Sequence, residues 1–166
     1  LNDGAQFVTF IVRRFGRIYP LHLALVLVLV LLEAAHLLAQ TAGGSLGLRA
    51  AFTESASPGA IISNALLTHA LGLHDQRTLN HPSWSISAEF WTYLVFGLVC
   101  LAAAGRKKTL AAAAAVLAAA GALVVGRYSP EFIDTTYRYG FFRCLYGFFV
   151  GVLTCLAFEA TPTMRP

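Results

Sequence analysis

Residues 80–96, NHPSWSISAEFWTYLVF, hold a polar turn that runs straight into an aromatic, apolar segment carrying one carboxylate, Glu89. Pro82 beside Ser83 marks a helix start, because proline's missing N–H is no loss in a first turn. On a 3.6-residue period Ser85, Glu89 and Tyr93 fall at i, i+4 and i+8, so hydroxyl, carboxylate and phenol share one stripe. A carboxylate at the centre of a membrane helix costs about 2.5–3.5 kcal/mol on insertion scales, so Glu89 must face a partner or a wet cavity. The plainer reading is an interfacial belt, with Trp84, Trp91 and Tyr93 at headgroup level and Glu89 reaching for water.

The surrounding composition decides between a soluble and a membrane setting for this helix. Of 166 residues, 57% are hydrophobic and 12% charged, against about 25% charged in a soluble domain. The mean hydropathy is +0.67. An all-α, polytopic membrane bundle is expected, with the lipid bilayer as its first partner. The net charge of +4 gathers at Arg13, Arg14 and Arg17 and again at Arg106, Lys107 and Lys108, which reads as topology and leaves no nucleic-acid footprint. Cys100, Cys144 and Cys155 lie in or beside apolar runs without a C-x-x-C spacing or a histidine cluster, so packing is expected of them and no metal site. Opening on Leu1 and a polar turn, the chain reads as cut from something longer.

Taken in order, Gln6 to Tyr19 interleaves apolar residues with Arg13, Arg14 and Arg17 and is expected as an amphipathic helix on the cytoplasmic surface. Ile18 to Gln40 is the first span, long enough for a roughly 30 Å core, with Glu33 and His36 at a spacing that allows a pair near its far end. Thr41 to Gly59 reads as a loop. Ala60 to Leu73 is short and carries Asn64, Thr68 and His69, so a re-entrant or interfacial helix is expected. Leaving it out of the span count also puts both basic clusters in the cytoplasm. Ser83 to Ala104 is the second span and Ala-rich Thr109 to Gly126 the third, a scaffold whose small residues admit a close neighbour. Arg127 to Gly140 is an external loop. Phe141 to Phe158 is the fourth span, with Gly147 and Gly151 expected to form a packing face.

Two clusters carry chemistry, and this topology sets them on opposite sides of the membrane. Inside, Arg14 and Arg17 lie one helical turn apart, a geometry that suits clasping phosphate oxygens as well as anchoring to the cytoplasmic surface. Outside, Asn80, His81, Trp84, Ser85 and Glu89 are expected to line a pocket with Arg143 as counter-charge for Glu89.

RRFGRIYPLH at residues 13–22, NALL at 64–67, PSWSISAEFWTY at 82–93 and FFRCLYGFFVG at 141–151 together resemble the membrane acyltransferase family 3, whose members O-acylate surface polysaccharides, peptidoglycan, antibiotics and other sugars from acyl-CoA. The resemblance implies one transmembrane acyltransferase domain, of which residues 1–166 supply a part without the first and later helices, in a bacterial cell membrane. It implies acyl-CoA, acetyl-CoA above all, as donor at Arg14 and Arg17. A carbohydrate or glycoconjugate is the implied acceptor, and Glu89 the implied catalytic carboxylate, at the end of a motif that includes Trp84, Ser85 and Ser87. The family's catalytic histidine stands upstream of the arginine motif, and none of His22, His36, His69, His74 or His81 occupies that position. The competing reading is a non-catalytic membrane protein, a transporter or channel segment with Glu89 and Arg143 lining its path, although the chain lacks the paired broken helices of such folds. A truncated product that folds only with a partner is a third.

Overall fold

The polar turn forms a 3-10 turn, His81–Ser83, that feeds directly into a helix at Trp84–Ala103. A computed structural model gives the architecture and describes residues 3–43, 50–74, 76–130, 135–136 and 138–161. Parts of the expected loops, residues 44–49 and residues 131–134 and 137, lie outside the described residues. The α-helices are α1 (Gly4–Thr41), α2 (Pro58–Ala65), α3 (Trp84–Ala103), α4 (Lys107–Tyr128) and α5 (Gly140–Ala160), with a further 3-10 turn at Glu54–Ala56. No strand occurs among the described residues. Four helices, α1, α3 with its leading turn, α4 and α5, are long and apolar enough to cross a bilayer. The chain is an all-α integral membrane protein.

The surface helix and first span expected at 6–19 and 18–40 are one continuous helix of 38 residues. Asp3 caps it, its carboxylate accepting from the Gln6 N–H at 2.8 Å. Pro20 sits inside; its ring faces the carbonyl of the residue four before it, which is Gly16, and the helix runs on. At 1.5 Å per residue α1 is about 57 Å long, nearly twice a roughly 30 Å bilayer core. Its first half lies antiparallel on α3. A Cβ on Gly97 would stand 2.7 Å from the Phe7 ring, Phe10 meets Tyr93 and Phe96 at 6.0 and 5.9 Å, and Phe15 meets Phe90 at 5.7 Å. Its second half packs along residues 50–65, where Glu33 accepts from the Phe52 N–H and Gln40 from the Ala51 N–H. His36 pairs with Gln40 at 3.1 Å.

The helix expected over 60–73 ends at Ala65. Leu67 takes a left-handed backbone, φ 57°, and its carbonyl accepts from the Ser87 hydroxyl at 2.6 Å and the Trp91 indole at 2.9 Å. Two donors from α3 thus hold the carbonyl that a longer α2 would have used internally. Trp91 is thereby an internal tie and not a member of an interfacial belt.

Helix α5 runs parallel to α3, with Trp84 in the place a Cβ on Gly140 would take and Phe148 beside Tyr93 and Phe96 at 6.0 and 5.2 Å. Helix α4 returns after a turn at Ala104 and Gly105, both at positive φ, and packs mainly against α5. The core between α4 and α5 is Ala114, Ala118, Leu145 and Phe149. The close approach comes at Gly121, where a Cβ would stand 2.7 Å from the Phe142 carbonyl oxygen. The packing face expected at Gly147 and Gly151 is not used among the described residues, since neither has another group within 4 Å of a Cβ position. An exposed ion pair, Lys107 to Glu159 at 2.7 Å, joins α4 and α5 at one end. That end also holds the start of α1, while residues 66–83 and the start of α5 lie at the other.

Candidate functional site

Helix α3 presents Glu89 and Tyr93 one turn apart, and the Tyr93 hydroxyl donates to Glu89 Oε1. Both are half-buried. The guanidinium of Arg14 lies over the same ring, 4.9 Å from its centroid, and 5.4 Å from that of Phe10. A cation on an aromatic face gains about 0.5–2 kcal/mol according to how far it is desolvated, so α1 and α3 are joined here by a chain from guanidinium to phenol to carboxylate.

This corrects the expected separation of the two clusters. Tyr93 stands at the middle of α3, so Arg14 sits at mid-height of the bundle and beside the carboxylate, not at the opposite face. Along α1 a groove of about 730 Å³ is lined by Asp3, Gln6, Thr9, Phe10, Arg13, Arg14 and Arg17. Arg13 borders the same groove as Arg14 and Arg17. Arg13 and Arg17 are exposed and Arg14 half-buried, so the groove offers hydrated cations at its rim and one at its floor.

The remaining expected residues do not converge on Glu89. Ser85 is exposed and donates to the carbonyl of Pro82 at 3.1 Å. His81 is exposed and Asn80 half-buried, its carbonyl accepting from the Ser83 hydroxyl at 2.6 Å. Trp84 packs under Gly140. Arg143 donates to the Thr135 carbonyl at 3.1 Å, and among the described residues it forms no ion pair with Glu89. Stripe logic places Ser85 with Glu89, but a serine in a first turn satisfies itself locally.

The sequence reading left a second cluster unrecognised. His22, Asn64, His69, Ser83 and Ser87 are each at most 1% exposed. His22 Nε2 lies 2.9 Å from the Asn64 carbonyl, and His69 Nε2 lies 3.1 Å from Ser83 Oγ. The two imidazoles stack nearly parallel, 6° apart with centroids at 5.6 Å. The one signal in the sequence was periodicity: His22 stands eight residues after Arg14, two turns along the same face of α1.

Arginine, phenol and carboxylate thus form a charged, half-buried cluster between two helices of a membrane protein. The chain belongs to the acyltransferase 3 family, whose model, described as an acyltransferase domain, matches residues 3–161. No curated protein and no solved structure matches it.

Proposed function

We propose that the protein works as a membrane-embedded O-acyltransferase that moves an acyl group, acetyl in the simplest case, from acyl-CoA to a hydroxyl of a carbohydrate or glycoconjugate in a bacterial cell membrane. Membership of the family supports acyl transfer. The observation that carries the site is the contact of Arg14 with Tyr93 and of Tyr93 with Glu89 beside the arginine-lined groove. Guanidiniums bind phosphate oxygens through paired, charge-assisted hydrogen bonds, which suits Arg14 and Arg17 to the phosphates of the donor. In the transfer, a base takes the acceptor's hydroxyl proton and the oxygen attacks the thioester carbonyl. The C–S bond then breaks and the departing thiolate takes up a proton. Glu89, held at one oxygen by Tyr93, keeps its second oxygen for orienting the base or the acceptor hydroxyl. Arg143, near the start of α5, is left to meet the acceptor.

The test supplies labelled acetyl-CoA to membranes containing the protein and follows label into the carbohydrate fraction. A charge-assisted bond is worth about 1.5–3 kcal/mol, so Arg17→Ala should weaken donor binding roughly 10- to 100-fold. Glu89→Gln should keep the fold and lower turnover about 10²- to 10⁴-fold. Unchanged affinity in the first variant and unchanged turnover in the second would remove the assignment.

A further inference from the structure

The stacked histidines at the end of the bundle have their hydrogen-bonding roles set by the groups they face. His22 Nε2 faces a carbonyl, that of Asn64 at 2.9 Å, so it carries a hydrogen and donates. Ser83 Oγ commits its hydrogen to the Asn80 carbonyl at 2.6 Å and therefore accepts from His69 Nε2 at 3.1 Å. In each ring the remaining nitrogen, Nδ1, is left as a bare acceptor, and among the described residues neither Nδ1 has a hydrogen-bond partner. A proton added to either nitrogen would bring a charge into a site that water does not reach, against a parallel neighbour ring 5.6 Å away.

Among the described residues, no carboxylate faces the two rings to offset such a charge. From α1 the titratable neighbours are His22 itself and Tyr19, whose hydroxyl is committed to the Ala65 carbonyl at 3.0 Å. From the segment after α2 the neighbour is His74, bonded to Ser63 at 2.7 Å. Helix α2 and the start of α3 present Ser63, Asn64, Ser83 and Ser87, all uncharged. Burial pushes His69 down to about 4; the carbonyls of Ser83 and Ser63 oppose this, and His22 and His74 add to it.

These contacts are also what fastens residues 66–74 to the bundle: His69 bridges α1 by stacking and the turn before α3 through Ser83, beside the Leu67 carbonyl held by Ser87 and Trp91. We infer that the His22–His69 stack is an acid-sensitive latch that holds residues 66–74 closed over the end of the bundle while the His69 ring is neutral and releases them when it takes up a proton. A histidine held neutral when closed contributes stability that is complete above its ordinary value near 6.5 and is lost as pH falls toward about 4. The gap between those two values bounds the change in the closed-to-open ratio at roughly 300-fold for one proton.

Hydrogen exchange on the reconstituted protein between pH 7 and pH 4, corrected for intrinsic exchange, reads the latch at the amides of Leu67, Thr68 and Ala70, which bond to Asn64, Ser63 and Ser87. Their protection should fall by up to about 300-fold across that window while α4 and α5 keep theirs. His69→Phe keeps a stacking ring without a titrating nitrogen, and His22→Gln keeps a donor for the Asn64 carbonyl. The pair of substitutions should flatten the pH dependence, whereas His36→Gln and His81→Gln should leave it intact. Protection of residues 66–74 that does not vary with pH in the wild type would overturn the latch even if neither variant folds, and so would acid loosening that survives in a folded double variant.

Discussion

Adding one methyl group at Gly121 should push α4 and α5 apart, whereas the same change at Gly126 should not. A Cβ at Gly121 would lie 2.7 Å from the carbonyl oxygen of Phe142 and 3.1 Å from both the N and the Cβ of Tyr146. Carbon contacts settle near 3.5–4.0 Å, and two of these three obstacles are main-chain atoms that no rotamer can move, so α5 must retreat. The retreat loosens Leu145 and Phe149 from Ala114 and Ala118, and overpacking of that kind costs about 1–3 kcal/mol. Alanine is the better helix former by up to about 1 kcal/mol, a gain that both variants share and that Gly126→Ala keeps whole, since nothing lies within 4 Å of its Cβ position. The difference between the two variants should therefore be about 1–3 kcal/mol, roughly a 5- to 150-fold change in the unfolding equilibrium. Denaturing-detergent titration of the two proteins in mixed micelles measures it. Equal midpoints would refute the claim that α4 and α5 approach backbone to backbone at Gly121.

Tyr93→Phe removes the hydroxyl that holds Glu89 and keeps the ring beneath Arg14, so turnover should fall about 10-fold or more while donor affinity stays within about twofold; a parallel loss of both would mean the ring and not the hydroxyl is what matters. Single cysteines at Gln76 and Lys107, in a background without Cys100, Cys144 and Cys155, should label from opposite sides of intact cells, outside and inside respectively, because the basic cluster at Arg106, Lys107 and Lys108 marks the cytoplasmic end. The opposite labelling pattern would invert the topology and move the arginine groove's mouth to the other face.

Composition and hydropathy alone determined the class of this protein, since four apolar runs of membrane-crossing length leave no other solvent for them. Periodicity was enough for the Glu89–Tyr93 contact, because residues four apart on a helix meet whatever surrounds them. The family was legible in motifs spread along the chain, which is information of order and spacing that needs no folding. Where Arg14 lies was decided only by tertiary packing: the sequence placed an arginine-rich helix at a membrane surface, but α1 continues through Pro20 and slides along α3 until Phe7 seats on Gly97, which carries Arg14 down to Tyr93. Hydropathy windows see composition and cannot see that register. The early end of α2 had the same origin, since Ser87 and Trp91 reach back some twenty residues to take the Leu67 carbonyl. The histidine stack was invisible for a related reason. Its rings come from α1 and from the turn after α2, 47 residues apart in the chain, and only burial of both against Asn64 and Ser83 turns two ordinary imidazoles into one device.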